Sequence, residues 1–179
     1  LLSSLIETAI AYTGSAACQS CHPSQHSLWQ NSHHDLAMQL PTPDTVLGDF
    51  NNASFVYNGI TTRFFRQGDQ YKVRTDGEDG KLTDFTVDYV FGVYPLQQYL
   101  LPLPGGRWQA LSITWDARPA AEGGQRWYHL YPGESIDFKD PLHWTGPYQN
   151  WNTRCAECHS THLEKNYNRV SRTFTTTFK

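Results

Sequence analysis

The chain has 179 residues, a formal net charge of −3 and a pI near 6.2, enough for one domain or two small ones, and that charge excludes a nucleic-acid binder that works by electrostatics. Charged residues make up 17% and aromatic residues 14%, a balance that argues against disorder and for an aromatic core.

In chain order, the opening Leu1–Ala11 stretch is too short to span a bilayer and is interrupted by Glu7. It also lacks the basic start of a signal peptide, so an export signal is expected to have been removed or to lie outside this sequence. Next comes Cys18-Gln-Ser-Cys21-His22. Pro23 then suits the first turn of a helix. Leu28, Trp29, Leu36, Ala37 and Leu40 form an apolar stripe that predicts one helix over 23–40, stopped by Pro41-Thr42-Pro43.

From about Ala53 to Tyr131 the pattern changes to β-branched and aromatic runs divided by turn signals. Strands are expected at 54–57, 61–67, 70–75, 84–91, 97–101, 108–115 and 126–131. Gly68-Asp69 predicts a tight hairpin, residues 76–80 a longer turn, and 116–125 a surface loop. Residues 132–152 are rich in proline and glycine. Cys155-Ala-Glu-Cys158-His159 then opens a short helix expected to run to about Lys165. The fold class is α+β, with an antiparallel β-rich middle region flanked by the helices and loops that carry the two cysteine motifs. One module over 1–179 is expected, made of 12–40, 53–131 and 132–179.

Both cysteine patterns are Cys-x-x-Cys-His, the attachment sequence of c-type haem. Two thiols so spaced lie on one side of a turn and can add to the two vinyl groups of one haem, and the next imidazole reaches the iron. This assigns Cys18, Cys21, Cys155 and Cys158 to thioether bonds, His22 and His159 to the proximal iron positions, and two covalently bound haem c groups to the chain. A four-thiolate zinc site leaves the two histidines unexplained. A thioredoxin-like pair does not need two copies near opposite ends, and disulfides closing four-residue loops remove little chain entropy. Covalent haem attachment points to a periplasmic, cell-surface or extracellular location.

Six histidines remain for the distal positions. His26 and His162 follow the proximal residues by one helical turn and read as surface or propionate-contacting side chains. His33 and His34 point about 100° apart on a helix, so one is a ligand candidate. His34 lies about 18 Å along an unbroken helix from His22, and such a helix could deliver it to the second haem. Met38, one turn on, is a weaker candidate and more commonly a packing residue. His143, in the stiff aromatic loop 140–146, is the second distal choice. His129, on an expected strand, is weaker and could instead hold a propionate.

The segment from Gly14 to Pro23, followed by Trp29 and Ser32-His33-His34-Asp35-Leu36-Ala37-Met38, resembles the opening of multihaem cytochromes c, including tetrahaem cytochromes of ammonia oxidisers. In that group the Ser-x-His after the tryptophan commonly supplies a distal ligand, which the resemblance carries to His34. Residues 92–99, Gly105-Gly106-Arg107, 129–132, 140–146 and Asn150-Trp151-Asn152 before the second motif are similar to large multihaem cytochromes c with tetratricopeptide repeats. Those proteins continue into further haem motifs and helical repeats. The resemblance therefore implies an N-terminal haem-bearing piece of a larger architecture, or a natural two-haem relative.

Electron transfer between redox partner proteins is the function these features imply first. One alternative is an enzyme that reduces a small molecule such as peroxide, nitrite or hydroxylamine at an open haem, with His129 or His143 as acid/base. Another is a subunit whose haems stack across chains into a longer conduit. No nucleic-acid partner is expected, and membrane contact only through an anchor or partner.

Overall fold

The alternation of β-branched and aromatic residues through the middle of the chain becomes two antiparallel sheets in the computed structural model, which describes residues 12–179. The stretch Leu1–Ala11 lies outside the described residues. One sheet contains β2 (Ala53–Tyr57), β3 (Ile60–Gln67), β4 (Gln70–Asp76) and β5 (Leu82–Thr86) in sequence order. The expected Gly68-Asp69 hairpin joins β3 to β4, with Gln67 opposite Gln70. Side chains alternate as the pleat requires: Thr62 and Phe64 of β3 and Tyr71, Val73 and Thr75 of β4 are buried.

The second sheet contains β1 (Met38–Gln39), β6 (Tyr89–Phe91), β7 (Leu96–Leu103), β8 (Arg107–Ala110), β9 (Ile113–Asp116) and β10 (Arg126–His129). Two runs expected as single strands are each split. Within 84–91, Val87 N–H bonds Tyr71 O of the first sheet, whereas Asp88 N–H bonds Leu100 O of the second. The chain changes sheets between these two residues. Within 108–115, Ala110 pairs with Leu100 and Trp115 with Gln97. The β8–β9 side advances two residues more than β7, so Leu111-Ser112 forms a bulge.

The helical expectations need larger corrections. The helix predicted over 23–40 is only α1 (Pro23–Trp29). Gln30 is extended and Asn31 has φ 58°. A local turn holds this break: Asn31 N–H donates to the Asp35 carboxylate at 2.8 Å, and Asp35 N–H donates to Ser32 Oγ at 3.3 Å. Asn, Ser and Asp favour such side-chain-to-backbone bonds over helix continuation. After the second motif the chain forms α2 (Trp151–Arg154) and α3 (Ala156–His159), and stops there instead of running to Lys165, because Ser160 is extended. Residues 160–179 instead turn back on themselves, with Glu164 opposite Thr177 and Asn168 opposite Thr173. Among the described residues no helix is long and apolar enough to cross a membrane.

Strand β7 carries the core on both faces. Tyr99, Leu101 and Leu103 face a cluster with Phe64, Val73, Trp115 and Trp127, while Leu100 faces a second cluster with Phe91, Trp151 and Ala156. Phe50 sits within the first, edge-on to Phe64, Tyr71, Tyr99 and Trp127 at 5.1–5.6 Å. Such contacts add to area burial by about 0.5–1.5 kcal/mol each. Gly48 closes this cluster: its N–H donates to Tyr99 Oη at 3.0 Å, and a Cβ there would collide with that hydroxyl and the Trp127 ring. Both rings are buried and have no room to retreat. Gly48→Ala is therefore expected to lower stability by about 1–3 kcal/mol, read as a lower urea midpoint with an unchanged slope.

Candidate functional site

The two cysteine motifs take up the same backbone turn. His22 N–H bonds Cys18 O at 2.8 Å and His159 N–H bonds Cys155 O at 3.1 Å, so each turn gathers two thiols and an imidazole. All four thiols are free; Cys18, Cys21 and Cys158 are exposed and Cys155 is half-buried. Burial, then the neighbouring Cys158, pushes the Cys155 thiol above its ordinary pKa. Among the described residues no three or more His, Cys, Asp or Glu side chains are placed to share one metal ion, so the thiols do not converge as a zinc cluster requires.

Each motif borders an open cavity. The first, about 370 Å³, is walled by residues of one segment, among them Cys18, His22, His26 and Trp29. His26 is only 8% exposed and its ring lies 6.2 Å from that of Trp29, which removes the surface half of the expectation for it and leaves the propionate-contacting half. The second, about 190 Å³, is walled by Cys158, His159 and Phe178 together with Trp29, His34 and Met38. His159 packs edge-on to Phe91 at 5.3 Å, and its Nδ1 is buried without a hydrogen-bond partner among the described residues. A buried orphan nitrogen is costly, and here it belongs to the imidazole of the attachment motif. Exposed thiols, the adjacent imidazole and an aromatic wall fit a covalently held haem at these turns.

His34 and Met38 reach the second motif because α1 ends early. From Asn31 the chain turns and joins the sheet as β1, with Met38 opposite Phe91 and Gly92 N–H bonded to Ala37 O at 3.1 Å. Phe91 in turn touches His159. His33 diverges from its neighbour, and its ring lies 6.5 Å from that of Tyr94. Met38 also packs on the second core cluster. His162, beyond the end of α3, stacks on Tyr12 at 5.2 Å.

His143 and His129 are not brought to either motif. They line a separate, smaller cavity of about 40 Å³ with Asp76, Tyr57 and Ser112. The 140–146 loop turns its imidazole inward, where Nε2 lies 3.1 Å from Asp76 Oδ2 and Nδ1 lies 2.8 Å from Thr145 Oγ1. Thr145 N–H also donates to Nδ1 at 3.3 Å, which assigns the ring proton to Nε2, donated to Asp76. Burial opposes ionisation of Asp76, but the bonds from His143 and Thr75 outweigh it and hold the carboxyl below its ordinary pKa. His129 stacks on Tyr57 at 3.8 Å, and burial lowers its pKa.

Two asparagines that sequence reasoning quoted only for resemblance fix the second motif to the sheet. Asn150 accepts from Thr153 N–H at 3.1 Å, capping α2, and donates to Gln109 at 2.9 Å. Asn152, fully buried, accepts from Trp108 N–H at 2.8 Å and donates to Gly106 O and Thr176 Oγ1. A pair of asparagines around a tryptophan just before the cysteines was the available signal. Phe91 carried none beyond being aromatic, and Trp29 was marked only by its place on the apolar stripe and in the resemblance.

Residues 17–48 match a family model, Cytochrome c554 and c-prime. The match takes in the first motif, α1, His34 and Met38, and supports a c-type cytochrome, a class defined by covalently bound haem c. No curated protein and no solved structure is detectably similar to the chain.

Two outcomes follow from this geometry. Because the Asp76 pKa is depressed in the fold, its contribution is complete above the ordinary carboxylate value of about 3.9 and is lost as pH falls through the folded value. Asp76→Asn is expected to cost about 1–3 kcal/mol at neutral pH and to flatten the loss of stability as pH falls below the ordinary carboxylate value, read in urea titrations. Asn152→Ala strands Trp108 N–H and Gly106 C=O and is expected to cost about 2–4 kcal/mol, seen as a lower Tm.

Proposed function

We propose that the chain is a dihaem c-type electron-transfer module, with one haem held by Cys18, Cys21 and His22 and the other by Cys155, Cys158 and His159. The observation that carries this reading is the second cavity, where His34 and Met38, from the segment after the first motif, lie with Cys158 and His159. A chain that brings a histidine from one motif's segment to the other motif's wall has the parts for an iron held on both sides. His34 is the distal ligand in this reading, and Met38 is packing.

A bound haem supplies a reversible one-electron couple. The chain's own residues would anchor it through the thiols, cover it with Trp29 and Phe178, and offer His159 and His34 to the second iron. No substrate-binding group is needed for that role. The partners are redox proteins, which dock through small, weak surfaces. The compartment is periplasmic, cell-surface or extracellular, because covalent haem attachment takes place outside the cytoplasm. One observation favours a second reading for the first haem. Among the described residues its cavity is walled by residues between Ser15 and Trp29, so a ligand on the far side would come from outside that segment, as from a second chain in a haem conduit.

The holoprotein is expected to carry two haems by intact mass, falling to one in Cys21→Ser or in Cys158→Ser. His34→Ala is expected to convert one low-spin iron to a high-spin form that binds carbon monoxide when reduced, and the change should disappear when Cys158→Ser has removed the second haem. One haem in the wild type, or a high-spin second iron before any substitution, overturns the reading.

A further inference from the structure

We propose that Trp29 is a positioning residue standing between the two haem sites and setting how strongly the two cofactors interact. The proposal rests on the two-haem reading above. Among the described residues Trp29 is the one common to the walls of both cavities, the first shared with Cys18 and His22 and the second with Cys158 and His159. It is the last residue of α1, whose first turn is tied to the first motif through His26 N–H to His22 O at 3.0 Å. The helix therefore fixes the indole relative to the first motif, and the β1 pairing fixes the segment beyond it relative to the second.

Core packing does not account for this residue. Trp29 belongs to neither hydrophobic cluster and is 40% exposed, a costly placement for the largest apolar side chain unless something covers it. Leu28, adjacent in sequence and 81% exposed, lines neither cavity. An indole between two redox centres replaces water with a polarisable, low-dielectric group, and charges interact more strongly across such a medium. Oxidation of one iron then raises the energy of oxidising the other, and the wall also fixes the relative orientation of the two macrocycles.

The test uses the holoprotein, with Soret-region circular dichroism reporting cofactor geometry and a potentiometric titration reporting coupling. The wild type is expected to give a bisignate Soret couplet and two separated reduction steps. Trp29→Leu should reduce the couplet at least about twofold and narrow the separation, Trp29→Phe should do so less, and Leu28→Ala should change neither. Wild-type protein with two haems and no couplet overturns the proposal, as does haem-loaded Trp29→Leu with the wild-type couplet and separation. If Trp29→Leu fails to take up haem, Trp29→Phe decides, and identity with the wild type overturns the proposal. A wild-type mass showing a single haem removes the two-haem reading instead.

Discussion

The two-residue pairing of Met38 and Gln39 with Phe91 and Val90 governs the arrangement of everything that bears on haem. It is small in hydrogen bonds, but it decides where the first motif's segment goes after α1. Without it, residues 31–37 have no fixed relation to the second motif, which lies more than a hundred residues further on. With it, His34 and Met38 come to the wall beside His159, and Phe91 serves both as the strand partner of Met38 and as the ring against His159. The pairing itself closes the loop from Gln39 to Val90, at an entropic cost that two residues' bonds do not offset. The cost is met by the sheet it joins, whose β6 and β7 are already buried.

That sheet can act as a platform because β7 has two apolar faces. Tyr99, Leu101 and Leu103 are committed to the aromatic interior between the sheets, and Leu100 to the cluster under the second motif. The motif is fastened from the other direction by amides: Asn150 and Asn152 reach Gln109, Trp108 and Gly106 on or beside β8. Gln109 continues the chain of bonds to Trp144 O and Gly146 O, and His143 and Trp144 continue it to Asp76 on β4. The second motif thus stands on a hydrogen-bonded frame that crosses both sheets, whereas the first is held on a 3-10 turn and a seven-residue helix.

The middle of the fold was legible because alternation and turn residues act locally. The Gly68-Asp69 hairpin, β3 and β4 appear where the pattern put them. The two merged runs failed for a non-local reason: Val87 and Asp88 both look like strand, and only their different partners reveal the change of sheet. The helix expected over 23–40 failed for a local one. Its apolar stripe outweighed Asn31, Ser32 and Asp35, whose side chains bond to nearby backbone and end the helix. The attachment residues were legible because their chemistry requires contiguity; His34 was legible as a candidate for the second site, but its route was not, because it runs through the β1 pairing and not along a continuous helix.

The histidines separate into two chemistries by what the fold offers each ring. His143 gives Nε2–H to a buried carboxylate and takes Thr145 N–H at Nδ1, so a metal could bind it only by displacing a bond that links two parts of the core. His129 spends Nδ1 on Tyr131 N–H and its face on Tyr57. His159, by contrast, keeps a buried nitrogen with no protein partner, and His34 is exposed on a cavity wall. A ring already satisfied by protein is a structural element, and a ring left free beside two thiols is available for a cofactor. The aromatic excess divides in the same way: Phe50, Phe64 and Trp127 fill space between sheets, while Trp29, at the end of α1 and in neither cluster, keeps part of its apolar surface exposed on the cavity walls.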